Sequence, residues 1–151
     1  MTFRGIKIGV IAICFMFSFG AFSQDMEAKS DEELVQAAVE DYVMGLYEVD
    51  PDRIERSVHK DLRKIGYYDH KGEAYTNVPM TYQQLYDLSG IWNKAGDQVT
   101  ADTPKIIEIY SVHDKTASAK LTAKWGIDFM HLGKIDGKWM IMNIIWQSNP
   151  K

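Results

Sequence analysis

The stretch that most constrains the fold is "WGIDFMHLGKIDGKWMIMNIIW", residues 125–146. Two apolar runs flank Asp136 and Gly137, the favoured pair for a two-residue hairpin turn. Both runs are rich in Ile, Phe, Trp and Met, and each is long enough for a strand. The stretch therefore predicts a long antiparallel hairpin with its turn at Asp136-Gly137.

The turn also predicts the register of this hairpin. The predicted pairs are Trp139 with Lys134, Ile141 with Leu132, Asn143 with Met130, and Ile145 with Asp128. One face should then hold Asp128, Met130, Leu132, Trp139, Ile141, Asn143 and Ile145. The other face should hold Trp125, Ile127, Phe129, His131, Met140, Met142, Ile144 and Trp146. Asp128 and His131 fall on opposite faces, so they are not expected to form a catalytic pair.

The N-terminal half of the chain carries helix signals. Ser30 and Glu33 form a capping box, followed by apolar residues at three- and four-residue spacing to about Glu48. Asp50 and Pro51 predict the start of a short second helix that ends near Val58. Together these segments predict a helical hairpin.

A strand, a third helix and a second hairpin follow. "LRKIGYY" (62–68) predicts a strand with a turn at 69–72, and the capping box of Thr81 and Gln84 starts a helix that carries Tyr82, Leu85, Leu88 and Trp92. A three-residue loop at 113–115 places Ile109 opposite Ala119, Ile107 opposite Leu121, and Glu108 opposite Lys120. The alanines on this strand leave room either for a closely packed helix or for a cavity. Helices followed by a mainly antiparallel sheet define an α+β fold.

The first 23 residues are typical of an export signal. Arg4 and Lys7 precede an apolar run, and "AFS" (21–23) has the small-x-small pattern of a signal-peptidase site. A membrane anchor is the alternative, but the uncharged run is shorter than the roughly 20 residues that span a bilayer. We therefore expect cleavage after Ser23, a flexible tail over 24–30, a domain over 31–149 with no membrane span, and a periplasmic or secreted location.

Composition narrows the functional classes. Cys14 is the only cysteine and lies inside the predicted signal, so the mature chain would contain no thiol or disulfide. Loss of Arg4 and Lys7 would leave 15 basic and 21 acidic residues, a net charge of −6. Nucleic-acid binding requires a basic face, so we do not expect nucleic acid as a partner.

The element order resembles that of the nuclear transport factor 2-like superfamily, and in particular its bacterial branch labelled putative lumazine-binding. The resembling stretches are "RSVHKDLRKIGYY", "MTYQQLYDLSGIWNKAG", "TASAKLTAKW" and "IDFMHLGKIDGKWMIMNIIW". The resemblance implies a cone-shaped, cystatin-like α+β domain with three N-terminal helices packed on a curved antiparallel sheet. It also implies a pocket between helices and sheet, and dimers formed through the sheet.

Steroid-isomerase-like members of the superfamily use an acidic residue on a late strand, a tyrosine from the first helix and an acidic base on an early strand. Asp128 matches the first and Tyr42 the second. The early strand "LRKIGYY" contains no carboxylate. This difference counts against isomerase chemistry, which needs a base within hydrogen-bonding reach of the substrate.

Five residues are predicted to line a ligand pocket: Asp128, Asn143, Tyr42, Trp92 and Met130. Asp128 and Asn143 would orient the ligand, while the aromatic residues would pack against it. For each residue the alternative is a structural role, as a satisfied polar group or as part of the core. Asp128, Tyr42 and His59 are the weak candidates for catalysis.

The spacing of the four histidines indicates no metal site. His59, His70, His113 and His131 lack the spacing of metal-ligand motifs, so we expect neither a metal nor a cofactor. His131 lies among Met and aromatic residues, which favours an interface. We expect a homodimer through the face that holds His131, Met142 and Trp146.

Three functions are compatible with the sequence. The first is a binding domain for a small, partly apolar molecule. The second is an isomerase- or dehydratase-like enzyme that uses Asp128 as acid or base. The third is a ligand-free assembly domain whose pocket is filled by Met130, Leu132 and Trp92.

Overall fold

The computed structural model describes residues 28–69 and 75–149. The predicted export signal, most of the predicted tail and nearly all of the predicted turn at 69–72 lie outside these residues, as does His70. The described part contains helices α1 (Asp31–Tyr47), α2 (Pro51–Ser57) and α3 (Tyr82–Ser89). Its strands are β1 (Val58–Asp69), β2 (Tyr75–Met80), β3 (Ile106–Val112), β4 (Thr116–Ala123), β5 (Gly126–Ile135) and β6 (Lys138–Gln147).

Both predicted capping boxes are present. The Ser30 side chain accepts from the backbone N–H of Glu33, and Thr81 does the same for Gln84. Each such cap satisfies an otherwise orphaned backbone donor and stabilises its helix by about 1 kcal/mol. Asp50 caps α2 with Pro51 in its first turn, as predicted. Helix α3 ends at Ser89, so Trp92 lies in the turns after it.

The six described strands form one sheet in the order β2-β1-β6-β5-β4-β3. All neighbouring pairs are antiparallel except β1 with β6, which is parallel. The predicted α+β fold is therefore confirmed, with one parallel pair next to the β1–β2 hairpin at one side of the sheet. β2, which sequence reasoning did not identify, is an edge strand and carries Pro79, a residue that lacks an N–H and is confined to edge strands within sheets.

The helices cover one face of the curved sheet, which we call the inner face. Its core includes Val39 and Val43 from α1, Leu85 from α3, and Leu121 and Ile141 from the sheet, all fully buried. The start of α1 is held to the β5–β6 hairpin because Asp31 accepts hydrogen bonds from Lys134 and from the Trp139 indole. None of the described helices is long and apolar enough to cross a membrane.

The β3–β4 register is as predicted from Ile107 to Ile109. The β5–β6 register is as predicted only next to the turn, where Trp139 faces Lys134 and Ile141 faces Leu132. Beyond these pairs Met142 has no partner, and His131 faces Asn143 instead of Met142. This β-bulge inserts one residue into β6 and exchanges the faces of all residues that follow it.

Because of the bulge, four residues lie on the face opposite to the one predicted. Asn143 and Ile145 lie on the outer face, and Ile144 and Trp146 lie on the inner face opposite Met130 and Asp128. The predicted dimer face therefore loses Trp146, while His131 remains on the outer face. Met142 lies on the outer face too. Its side chain packs next to Gly133, which is on the face opposite to that of its neighbour Lys134 on β5.

Candidate ligand-binding site

Four side chains from three elements and one turn meet on the inner face: Tyr42 from α1, Lys64 from β1, Asp128 from β5, and Trp125 from the turn before β5. Lys64 Nζ donates to the Tyr42 hydroxyl at 2.5 Å and lies 3.8 Å from Asp128 Oδ1. Trp125 Nε1 donates to the other carboxylate oxygen, Oδ2, at 2.7 Å. We call these four residues the polar cluster.

The polar cluster is removed from water. Asp128 and Tyr42 are fully buried, and the Lys64 side chain is 6% exposed. Burial raises the pKa of Asp128, and the positive charge of Lys64 and the hydrogen bond from Trp125 oppose this rise. Burial lowers the pKa of Lys64, and the negative charge of Asp128 opposes this decrease. Burial and the Asp128 charge both raise the pKa of Tyr42. Each ionised group therefore depends on its partner to remain charged.

A cavity of about 200 Å³ lies beside the polar cluster and is called here the aromatic cavity. Three indole rings, those of Trp92, Trp125 and Trp146, form much of its wall, and Lys64 contributes a charged group. The remaining wall residues are Leu46, Tyr68, Met80, Leu85 and Leu88. Such an apolar cavity with a few polar groups is the usual form of a small-molecule site.

Contacts among the aromatic rings hold the cavity wall in place. The Trp92 and Trp125 rings meet edge to face with centroids 5.4 Å apart, and Tyr47 stacks on Trp92 at 5.8 Å. The Tyr47 hydroxyl accepts from the backbone N–H of Lys124 and donates to the carbonyl of Pro104. Tyr47 therefore positions the turn that carries Trp125.

Two glycines permit the placement of the tryptophans. Gly126 has a φ of +145°, and a Cβ there would lie 1.9 Å from the carbonyl oxygen of Gln147. Gly66 lies opposite Trp146 in the parallel β1–β6 pair, and a Cβ there would lie 2.1 Å from its Nε1 and Cε2 atoms. The Trp146 indole therefore lies directly on the backbone of β1, next to the cavity.

A larger, more open groove of about 500 Å³ runs along β1 and the edge strand. It is lined partly by Arg63, Asn143 and Ile145, which belong to the outer face. Lys64 and Met80 line both this groove and the aromatic cavity. We take the aromatic cavity as the candidate site because its walls are aromatic and its charged group is desolvated.

The structure brings together only part of the predicted site. Asp128 and Tyr42 meet in the polar cluster, and Trp92 lines the aromatic cavity. Met130 is buried in the core at 1% exposure and does not line the cavity. Asn143 lies on the outer face, where its Nδ2 donates to the carbonyl of Arg63 and its Oδ1 lies 3.1 Å from His131 Nδ1.

His59 lies at the start of β1, and its described contacts are to Asp61, both to the backbone N–H and to the carboxylate. His113 pairs with Ser111 on the β3–β4 hairpin. Among residues 28–69 and 75–149, no group of three His, Cys, Asp or Glu side chains is arranged to hold a metal ion.

Sequence reasoning missed Lys64, Trp125 and Trp146 as site residues. The signal for Lys64 was available, because Leu62, Lys64 and Gly66 alternate on one face of β1 and Leu62 is apolar. A lysine between two buried positions indicates a charge that requires a partner. Trp146 was assigned to the opposite face because the register was extended unbroken past the bulge at Met142. Trp125 was assigned there because the alternation of β5 was continued past its first residue, Gly126, whereas Trp125 lies in the turn before the strand.

Comparison with protein families places residues 30–147 in the family described as putative lumazine-binding. The chain belongs to this family. The match covers the polar cluster and the aromatic cavity, so the resemblance stated from the sequence motifs is confirmed. Comparison with the curated proteins gave no match.

Solved structures share the nuclear transport factor 2-like fold of this family member. A nuclear transport factor 2-like protein of unknown function from Silicibacter pomeroyi matches with a TM-score of 0.58 at 20% identity, over 80% of this chain and 100% of that chain. A similar protein from Shewanella baltica has a TM-score of 0.58 at 16% identity, over 82% of this chain and 100% of that one.

A ketosteroid isomerase-like protein from Erwinia carotovora atroseptica has a TM-score of 0.52 at 16% identity. That match covers 81% of this chain and 100% of the other. At these identities the comparisons establish the fold alone.

Proposed function

We propose that the domain binds a small, partly apolar molecule in the aromatic cavity. The observation that carries this proposal is the composition of the cavity wall, with three indole rings beside the buried ammonium of Lys64. Indole faces pack against flat apolar surfaces, and a few polar groups are enough to fix a ligand's orientation. The family description, putative lumazine-binding, supports a small-molecule ligand.

The volume limits the size of the ligand. Sites for drug-sized molecules measure roughly 300–1,000 Å³, and this cavity measures about 200 Å³. We therefore expect a compact molecule of one or two rings to fill the cavity. A longer substituent would extend past Lys64 or Met80 into the open groove, since these two residues line both spaces.

Native mass spectrometry tests the binding function. The protein is purified from a host that exports it, and its mass is compared before and after denaturation. We expect the wild type to retain a small extra mass and Leu88→Trp to lose it, because the larger side chain fills the cavity. Ile91→Trp is the matched control, since Ile91 is 62% exposed and lies outside the cavity. An empty wild type, or equal retention by Leu88→Trp, would contradict the proposal.

A second candidate is a proton-transfer enzyme of the isomerase or dehydratase kind. It is favoured by one observation, the contact between Asp128 and Lys64 at the wall of a cavity. General acid–base catalysis requires a titratable side chain positioned beside the substrate. Asp128 does not itself line the cavity and lies too far from Lys64 for a hydrogen bond, so in this hypothesis Asp128 holds Lys64 charged and Lys64 donates the proton to the substrate. An Asp128→Asn variant that folds and keeps full activity on an identified substrate would eliminate it.

The assembly hypothesis required a pocket filled by side chains. Met130 and Leu132 are buried in the core, yet a cavity remains beside Trp92. This space favours the binding function over a domain that serves only in assembly.

We also propose that the domain forms a homodimer through the outer face of its sheet. Ile65, Ile145 and Phe129 lie side by side across β1, β6 and β5. Phe129 and Ile145 are 47% and 45% exposed. Apolar side chains exposed in a row across three strands are typical of an interface.

Export is a further part of the proposal. Arg4 and Lys7 before an apolar run, with "AFS" at its end, support cleavage after Ser23 and a periplasmic or secreted product. The mass of the protein recovered from the periplasm or the medium tests this. We expect a chain that begins at Gln24, and a full-length chain confined to the cytoplasm would contradict it.

A further inference from the structure

The Lys64 ammonium has more hydrogen-bond donors than the fold uses. An ammonium carries three N–H groups. One of them donates to the Tyr42 hydroxyl, while the 3.8 Å contact to Asp128 is an ion pair too long for a hydrogen bond. Lys64 lines the aromatic cavity, so a donor remains for an oxygen atom of a bound molecule.

A second donor lies in the same wall. Trp146 Nε1 is buried and has no hydrogen-bond partner in the described part of the chain. The ring centroid of Trp146 lies 5.7 Å from Lys64 Nζ. A buried N–H without a partner is costly, and an acceptor on a ligand would remove that cost.

Charge balance decides which kind of acceptor fits. The positive charge of Lys64 is matched by the negative charge of Asp128 at 3.8 Å, so the polar cluster is neutral as a unit. A carboxylate or phosphate ligand would add an uncompensated negative charge to this desolvated site. A carbonyl oxygen accepts the same hydrogen bond and adds no charge.

We propose that the ligand is an uncharged, ring-bearing molecule with a carbonyl-type oxygen, and that Lys64 donates the hydrogen bond that recognises this oxygen. The ring packs against the indoles of Trp92, Trp125 and Trp146. This inference rests on the proposed binding function and specifies its ligand class. Asp128 then acts as a positioning residue, which keeps the site neutral and so excludes anions.

Three probes with one ring skeleton test the inference: indane, 1-indanone and indane-1-carboxylate. The first two differ by the carbonyl oxygen, and the third adds a negative charge. Binding is followed by tryptophan fluorescence, since three of the four tryptophans line the cavity. For the wild type we expect 1-indanone to bind about tenfold more tightly than indane, as one hydrogen bond from a charged donor provides. Indane-1-carboxylate should bind most weakly.

Two variants assign the selectivity to the polar cluster. The double variant Lys64→Met/Asp128→Asn removes both charges together and leaves no unpaired ion, and circular dichroism verifies its fold. It should bind indane and 1-indanone with affinities within roughly twofold of each other, because the donor is gone. In Asp128→Asn the carboxylate of a bound ligand can replace Asp128 as the counter-ion that keeps Lys64 charged, and we expect indane-1-carboxylate to gain about tenfold in affinity.

The outcomes separate the ligand class from the binding function. Equal binding of indane and 1-indanone by the wild type would overturn the role of Lys64 and leave the aromatic cavity as a binding site. An unchanged preference for 1-indanone in the double variant would also overturn it. If none of the three probes binds to the wild type at millimolar concentration, the binding function of the cavity itself is refuted.

Discussion

Lys64 Nζ lies 3.8 Å from Asp128 Oδ1, and neither side chain is more than 6% exposed. This ion pair joins β1 to β5 across the intervening strand β6. Taking both groups out of water costs several kcal/mol per ion, and their attraction offsets that cost only while both are present. The pair is therefore expected to contribute to ligand selection more than to stability.

Removal of one partner of the pair should destabilise the domain far more than removal of both. We expect Lys64→Met to lower the free energy of unfolding by about 3 kcal/mol, because Asp128 is left buried without its cation. The double variant Lys64→Met/Asp128→Asn should recover most of this loss. Urea unfolding of the two single variants and the double variant measures the coupling. Strictly additive losses would show that the two groups do not interact.

The loss of stability caused by the unpaired Asp128 carboxylate in Lys64→Met should depend on pH. Burial raises the pKa of Asp128 above its ordinary value of 3.8, and loss of Lys64 removes an influence that opposes this rise. A carboxyl group whose pKa is higher in the folded state destabilises the fold when ionised. The loss in unfolding free energy therefore has its full value above the raised pKa and decreases as the pH falls toward 3.8.

Unfolding of Lys64→Met and of Lys64→Met/Asp128→Asn between pH 7 and pH 4 measures this dependence. The difference in unfolding free energy between the two variants should shrink as the pH falls. A difference that stays constant over this range would mean that Asp128 does not titrate in the folded variant.

Gly66→Ala should disturb the aromatic cavity from the β1 side. The added methyl group would lie 2.1 Å from two atoms of the Trp146 indole, which must move away. We expect a loss of about 1–3 kcal/mol in unfolding free energy, together with a shift in tryptophan fluorescence. Gly90→Ala is the matched control, because its methyl group would meet its nearest atoms at an ordinary 3.5 Å. Equal effects of the two substitutions would contradict the close packing of Trp146 on β1.

A charge on the outer face should weaken the proposed dimer. Phe129→Lys places an ammonium at the β5 end of the row formed by Ile65, Ile145 and Phe129, and a buried unpaired charge is strongly unfavourable at an interface. Sedimentation velocity at micromolar concentration should show the wild type as a dimer and Phe129→Lys as a monomer. Ile91→Lys changes an exposed apolar residue outside the sheet and should remain dimeric. A monomeric wild type would refute the dimer.

The helices were predictable because their signals are local. Ser30 with Glu33 and Thr81 with Gln84 form capping boxes that depend only on residues within one turn. The turn at Asp136-Gly137 likewise fixes the nearest pairs of β5 and β6 by its own geometry. Such features need no tertiary contact to be recognised.

The site was less predictable because it depends on one inserted residue. Both faces of the β5–β6 hairpin are apolar, so no contrast between polar and apolar positions marks the bulge at Met142. The unbroken register assigned Asn143 to the pocket face and Trp146 to the outer face, and both assignments were wrong. The parallel pairing of β1 with β6, which brings Lys64 and Gly66 beside the end of β6, is a long-range contact without a local signal.

The most direct test of the binding function is a ¹⁹F NMR titration of 5-fluorotryptophan-labelled protein with 1-indanone. The chain has four tryptophans, of which Trp92, Trp125 and Trp146 line the aromatic cavity. Trp139 lies outside the cavity, with its indole bonded to Asp31, and serves as the internal control. We predict that the resonances of the three cavity tryptophans shift together and saturate, while that of Trp139 stays in place. Four unmoved resonances, or a shift confined to Trp139, would contradict a ligand site in this cavity.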